Sequence, residues 1–343
     1  MRTEGLDGLL VTDRTDVRYL CGHEHEDLRL LVTRRGQYLT TRHRGIQRAR
    51  QRSSGFRIID PAESPGGFGR LVKRRGLRTL GINVRMPHRR LLQLRKQMRP
   101  ARLKPSGAIT EARAVKSRYE IRLLRQSQRR AEKVFAAVLR EIRPGMTEQH
   151  LHNRIIQMIL DDESLDGPSF EPVVSAGRSS WTFHSRYTRR KLRTNDCVIV
   201  DMGVRYRGYC SDMTRTVFLG RPTRRMREVY RIVREAQRRA IEAIRPGALG
   251  RDVAAAAWDV IRSHGYRQTH GLGHGIGLDN HDSPMPGLAE GNTRSLEEGM
   301  VFTVEPGIYL KNAFGVRIED TVVVTPDGCE NLMRAGKDLT IVG

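Results

Sequence analysis

At 343 residues, 38% hydrophobic and 29% charged, the chain is too long for one small core and too apolar for a disordered polymer, so two folded domains are expected. No eighteen apolar residues run together, and Glu4 and Asp7 stand where a secretory leader would need an apolar stretch. Neither a membrane span nor a signal peptide is therefore expected. The net charge of +24 raises nucleic acid as a partner, yet 54 of the 62 basic residues are arginines scattered over nearly every segment. With no aromatic-interleaved basic stripe and no finger motif, the excess reads as a solvated surface and nucleic acid is not an expected partner.

Residues 1–115 carry 26 basic and 10 acidic side chains, so the excess is concentrated in the first third. Short apolar runs there, at 8–12, 29–33, 37–41, 56–60 and 79–84, read as strands, with helices around 43–52 and 87–99. This predicts an α/β domain over 1–112. A long helix then begins after Ser117, with Glu120 completing a capping box, and stops at Pro144–Gly145. Residues 113–343 form the second domain. The four cysteines, Cys21, Cys197, Cys210 and Cys329, show no C-x-x-C or zinc spacing and read as reduced thiols of a cytoplasmic protein.

The second domain repeats itself. FAAVLREIRPG (135–145) matches QRRAIEAIRPG (237–247), and VIVDMG (198–203) resembles FTVEPG (302–307). In each half a strand presents one carboxylate and the next strand another: Asp201 with Asp212, and Glu305 with Glu319. A turn at Arg207–Gly208 would pair Tyr206 with Tyr209 and set Asp212 opposite Gly203. A turn over Lys311 to Gly315 would pair Leu310 with Val316 and set Glu319 opposite Gly307. Both registers place the two acids of a hairpin on one face, as diagonal neighbours. Four like charges buried together need cations. Oxygen ligands with an imidazole suit Mn²⁺, Co²⁺, Zn²⁺ or Fe²⁺, and carboxylate richness favours Mn²⁺. Two such ions can hold and deprotonate a water between them. The glycine-rich HGLGHGIGLDNH (270–281) supplies His270, His274 and His281. Its glycines argue for a loop that approaches a ligand closely.

At these residues the chain resembles the creatinase, aminopeptidase P and prolidase family. The matching stretches are GPSFEPVVSAG (167–177), VDMGVRYRGYCSDMTRT (200–216), HGLGHGIGLDNH (270–281), GMVFTVEPGIY (299–309) and GVRIEDTVVV (315–324). The resemblance implies an α+β protein: a creatinase-like α/β N-terminal domain and a pita-bread catalytic domain with an internal pseudo-two-fold duplication. It further implies that Asp201 holds one metal, that Asp212 and Glu319 bridge the two, and that His274 and Glu305 complete the ligand set of the second metal. Glu305 would shuttle a proton, His184 would contact the substrate near the scissile bond, and His281 would stabilise the tetrahedral intermediate. His270 would line the substrate pocket, and Arg317 would orient the ligands from behind. The implied activity is hydrolysis of the bond before proline by a hydroxide held between two metals, in a homodimer. The first form is an Xaa-Pro aminopeptidase acting on peptides with proline second; the alternative is an Xaa-Pro dipeptidase, or prolidase. A non-catalytic binding protein on the same fold is the reading from another class, and the complete ligand set speaks against it. Ser185, Asn280 and Asp282 stand where the family usually has tyrosine, an aliphatic residue and often glutamate. Trp181 is bulky where a small residue is expected, so the substrate pocket is expected to differ.

Overall fold

A computed structural model of the chain describes residues 1, 3–23, 27–182, 187–284 and 287–343. It divides into two compact units, Met1–Ala112 and Arg113–Gly343.

The first unit is built on strands β1 (Gly8–Val11), β2 (Arg29–Thr33), β3 (Gly36–Thr40), β4 (Arg57–Ile59), β5 (Thr79–Asn83) and β6 (Arg102–Ser106). They form one sheet in the order β4-β3-β2-β1-β5-β6. Alternate residues feed two separate cores: Leu10, Leu31 and Tyr38 on one face, Val11, Leu30 and Leu39 on the other. This is the period of two expected of strands buried on both sides. Helices α1 (Arg14–Cys21), α2 (Ile46–Arg52), α3 (Gly67–Arg74) and α4 (His88–Gln97) follow the strands, and α5 (Ala108–Ala114) closes the segment. The sequence pattern missed α1, α3 and β6. Gly66 and Gly67 mask the start of α3, and Pro105 masks β6, which is tolerated because β6 is an edge strand.

The second unit opens with α6 (Arg118–Glu141), started by the Ser117–Glu120 capping box, and α7 (Glu148–Leu160). Strands β7 (Gly167–Pro168), β8 (Val173–Ala176), β9 (Cys197–Met202), β10 (Val204–Tyr206), β11 (Tyr209–Cys210) and β12 (Met213–Leu219) follow. The second half runs α8 (Arg224–Ala243), α9 (Gly250–Ser263), β13 (Val301–Val304), β14 (Gly307–Leu310), β15 (Phe314–Arg317), β16 (Asp320–Thr325) and β17 (Gly328–Asn331), with β18 (Thr340–Val342) returning beside β12. Each half packs its helix pair on its own sheet. Val134, Val138, Leu151 and Ile155 meet Val198, Val200 and Val217 in one core; Val233, Ala236, Ala257 and Trp258 meet Phe302, Val304 and Val322 in the other. The architecture is α+β and duplicated. Among the described residues no helix is long and apolar enough to cross a membrane.

Candidate metal centre

Asp201 lies on β9 directly opposite Thr214 of β12. Beyond the sheet the same register resumes, with Tyr206 opposite Tyr209. Arg207 and Gly208 turn the chain with φ of 48° and 86°, the left-handed pair of a type I′ hairpin. Between the two ladders the pairing is interrupted at Gly203 and Asp212. A side chain on Gly203 would run into the Ser211 carbonyl and the Ser169 hydroxyl. Asp212 is thereby freed from the ladder, and α6 holds its backbone instead. Gln128 Nε2 donates to the Asp212 carbonyl at 2.7 Å, and Gln128 Oε1 accepts from its N–H at 3.2 Å.

The second hairpin has the same plan but a different register from the one expected. Its turn is Lys311–Ala313, with Asn312 left-handed at φ 58°, so that Leu310 pairs with Phe314 and Gly307 with Arg317. On the far side Val304 pairs with Asp320. Glu305 and Glu319 therefore fall opposite one another in the break, not diagonally as the sequence suggested. The slip is two residues, which preserves the face on which each acid lies.

The histidine loop is threaded beside β13. The Thr303 N–H donates to the His274 carbonyl at 2.8 Å, the His274 N–H donates to Thr303 Oγ1 at 3.0 Å, and the Glu305 N–H reaches the Leu272 carbonyl at 2.8 Å. Gly273 permits this approach, because any side chain there would strike the Thr303 carbonyl. His274 Nδ1 lies 3.1 Å from the Gly275 carbonyl. A carbonyl can only accept, so Nδ1 carries a proton and Nε2 is the nitrogen turned towards the acids. That nitrogen is 3.5 Å from Asp212 Oδ2 and 3.6 Å from Glu305 Oε1.

Ligand atoms of Asp212, His274 and Glu319 all lie within 4.8 Å of one another. The electrostatics mark a strained anionic cluster. Glu319, 1% exposed, is driven well above the usual carboxylate range by burial and then by the charges of Asp212, Glu305 and Asp201. Burial pushes Glu305 to about 7, with His274 and Arg317 opposing. Burial pushes Asp201 to about 6 against the pull of Arg317. For His274 burial acts downward, but the Asp212 hydrogen bond and the Glu305 charge carry it to about 9. Arg317 Nη2 donates to Asp201 Oδ2 at 2.5 Å, its Nε to Thr214 Oγ1 at 3.1 Å and its Nη1 to Tyr309 Oη at 2.9 Å. Thr214 Oγ1 in turn donates to Glu319 Oε2 at 2.7 Å, so one hydroxyl links the two halves.

A family model for metallopeptidase family M24 matches residues 122–326, and one for the creatinase/prolidase N-terminal domain matches residues 1–115. The chain belongs to metallopeptidase family M24. A curated Xaa-Pro dipeptidase of Pyrococcus horikoshii is 32% identical over 267 residues, covering 77% of this chain and 75% of the relative. The solved Xaa-Pro dipeptidase from Bacillus anthracis superposes with a TM-score of 0.93 at 32% identity, covering 99% of this chain and 96% of that one. The X-Pro aminopeptidase from Thermotoga maritima MSB8 does so with a TM-score of 0.90 at 29% identity, covering 100% of both chains. The M24 chain thus combines a creatinase-type N-terminal domain with a pita-bread metallopeptidase domain, and it is a metal-dependent enzyme.

The residues of this M24 chain suit divalent cations. Asp201 Oδ1 is buried with no hydrogen-bond partner among the described residues, and the repulsion among the four acids is what a cation would relieve. Of the residues singled out by sequence, Asp212, His274 and Glu319 converge, Glu305 adjoins His274, and Asp201 is joined to the group through Arg317. His281 is exposed and stacks its ring on His274, centroids 3.9 Å apart at 12°. His270 Nε2 lies 3.2 Å from Tyr309 Oη. His184 falls outside the described residues; on either side of it, the N–H groups of Ala176 and Thr188 donate to the buried Glu148 at 2.8 and 2.9 Å. Sequence reasoning missed Thr214, Thr303, Tyr309 and Gln128. For the two threonines a signal existed, since each stands two residues from a site carboxylate on the same strand face.

Proposed function

We propose that the chain hydrolyses the bond between an N-terminal residue and a following proline, with Asp201, Asp212, His274, Glu305 and Glu319 holding two divalent cations, Mn²⁺ foremost. The observation that carries this reading is the buried convergence of Asp212, His274 and Glu319 on an M24 fold. When bound, the cations supply Lewis acidity that polarises the scissile carbonyl and brings water within reach of deprotonation near neutral pH. Arg317 fixes the orientation of Asp201, and Thr214 that of Glu319. Glu305, beside His274, is the carboxylate placed to accept and return the proton during turnover. His281, above the His274 ring, donates to the oxyanion, and His184 assists departure of the proline nitrogen. His270 and Tyr309 line the substrate side.

An Xaa-Pro dipeptidase is the second reading, favoured by relatives named for that activity. The unpaired thiols of Cys21, Cys197, Cys210 and Cys329 support a cytoplasmic protein, which we take to be a homodimer. A panel of Xaa-Pro dipeptides and tripeptides with central proline, assayed with Mn²⁺, Co²⁺ and Zn²⁺, tests the reading. Tripeptide cleavage selects the aminopeptidase and dipeptide-only cleavage the prolidase; no hydrolysis with any metal refutes both. Asp212→Asn should abolish turnover and lower metal stoichiometry, and an unchanged variant removes the bridging role.

A further inference from the structure

Directly after His281 comes Asp282, a 5% exposed carboxylate around which the loop is wound. Its Oδ2 accepts from the Leu278 N–H at 3.0 Å and its Oδ1 from the Ser283 N–H at 2.6 Å. Its own N–H reaches the Gly275 carbonyl at 2.8 Å, closing the loop on itself. Two buried cations flank it. Arg113, 8% exposed, pairs with Asp282 Oδ2 at 2.8 Å and Asp279 Oδ2 at 2.7 Å. Lys116, 4% exposed, donates from Nζ to the Ser283 carbonyl and to the Ala114 carbonyl. Burial pulls Lys116 down to about 8, with Asp282 and Glu120 opposing. Glu120 belongs to the α6 capping box and also accepts from Tyr209 Oη at 3.1 Å. Gly277 completes the fit, since a side chain there would meet Asp282 Oδ2 and Lys116 Cε.

Two buried cations are costly to keep where α5 gives way to α6 unless they fix something that weaker packing cannot. What they fix is the backbone on both sides of His281, whose ring must lie over the ligand His274. We propose that Asp282, clamped by Arg113 and Lys116, is a positioning residue that holds His281 stacked on His274 and so sets where its imidazole meets the substrate. The inference deepens the peptidase reading and rests on it. In this role Asp282 acts through the loop.

The test compares Asp282→Asn, His281→Ala and the double variant in the metal-loaded enzyme, with ¹⁵N histidine-ring spectra of each metal-free protein. Asp282→Asn should lower kcat roughly 10- to 100-fold with KM held within about twofold. Adding it to His281→Ala should cost less than about twofold further, because both act at one ring. In the spectra, the His274 and His281 signals should move towards unstacked positions. Should Asp282→Asn fail to fold, Lys116→Met and Arg113→Gln are expected to give the same pattern in weaker form. Additive losses in the double variant, or unchanged ring signals in a folded single variant, overturn the proposal. If the unaltered protein cleaves no Xaa-Pro peptide with any metal, the peptidase reading falls, and the ring spectra still decide the positioning claim.

Discussion

Loading the metal centre at pH 7 should expel about two protons, because ligands bind deprotonated and this site is rich in protons when no cation is present. His274 is held at about 9 once the Asp212 hydrogen bond and the Glu305 charge overcome the downward effect of burial, so it carries a second ring proton. Glu319 is raised well above the usual carboxylate range by burial and its three acidic neighbours, so it adds to the protons released on binding. Glu305, at about 7, is half protonated and Asp201, at about 6, mostly ionised. The slope of log affinity against pH equals the protons released, so binding should strengthen by about two decades per pH unit near neutrality. Calorimetric titration with Mn²⁺ in several buffers reads the number directly, as the slope of observed enthalpy against buffer ionisation enthalpy. A slope below about one proton at pH 7 would refute the reasoning. It would mean that the acids are already ionised, and hence not crowded together out of water.

The same linkage fixes the sign of a stability effect. Asp201, Glu305 and His274 all have folded values raised above the ordinary ones. Their stabilising contribution is therefore complete at low pH and is lost between the ordinary and the raised values, from about 4 for Asp201 to about 9 for His274. For Glu305 alone, moving from 4.5 to about 7, the loss is roughly 3 kcal/mol. The Tm gap between metal-saturated and chelator-treated protein should widen from pH 5.5 to 8.5; a constant gap contradicts this. Thr214→Val removes the hydroxyl that donates to Glu319 and accepts from Arg317, and should weaken metal binding roughly 10- to 100-fold with the fold retained. Calorimetry showing unaltered affinity would deny Thr214 that part. Arg215→Met strips Asp320, 0% exposed, of one of its two cations, leaving Lys337 Nζ at 2.7 Å, and should destabilise by about 1–3 kcal/mol. Arg215→Met with Asp320→Leu should recover most of the loss in thermal melts, and a double variant no better than the single one would assign the damage to packing.

Strands β1 to β5 of the first unit and the repeated helices α6 and α8 of the second were legible because their signals are local. Period-two burial in LLV and RLLVT, the Ser117 capping box and the Arg207–Gly208 turn are each decided within a few residues. The second hairpin was not, for a tertiary reason. Gly315 looks like a turn glycine, yet it serves close packing: a side chain there would strike the Ser180 carbonyl, and its N–H donates to Ser180 Oγ at 2.8 Å. Asn312 takes the left-handed place instead, and the register moves by two. Asp212 and Glu319 could be paired from the repeat alone, but the glutamine that grips Asp212 from α6 lies 84 residues away, beyond any local pattern. Lys116 was unremarkable as a letter; only its burial beside Asp282 gives it meaning.

Duplication explains why the acids sit where the ladders break. A carboxylate inside a continuous ladder has its strand direction fixed by the pairing, and opposite acids would be held apart by the sheet's own geometry. At Gly203–Asp212 and at Glu305–Glu319 the ladder is interrupted in both halves, and backbone groups are satisfied from outside it. Gln128 serves the first break, and Gln237 donates to the Val304 carbonyl at 3.0 Å in the second. β12 then runs beside the second hairpin, with the Glu319 N–H on the Thr214 carbonyl at 3.1 Å and the Arg317 N–H on Thr216 Oγ1 at 3.0 Å. Two breaks laid side by side supply four acids whose repulsion neither half can relieve alone. The cation pair proposed for this site would supply the counter-charge that arrangement calls for, and on that proposal the repeated helix-and-hairpin unit exists for the metal chemistry.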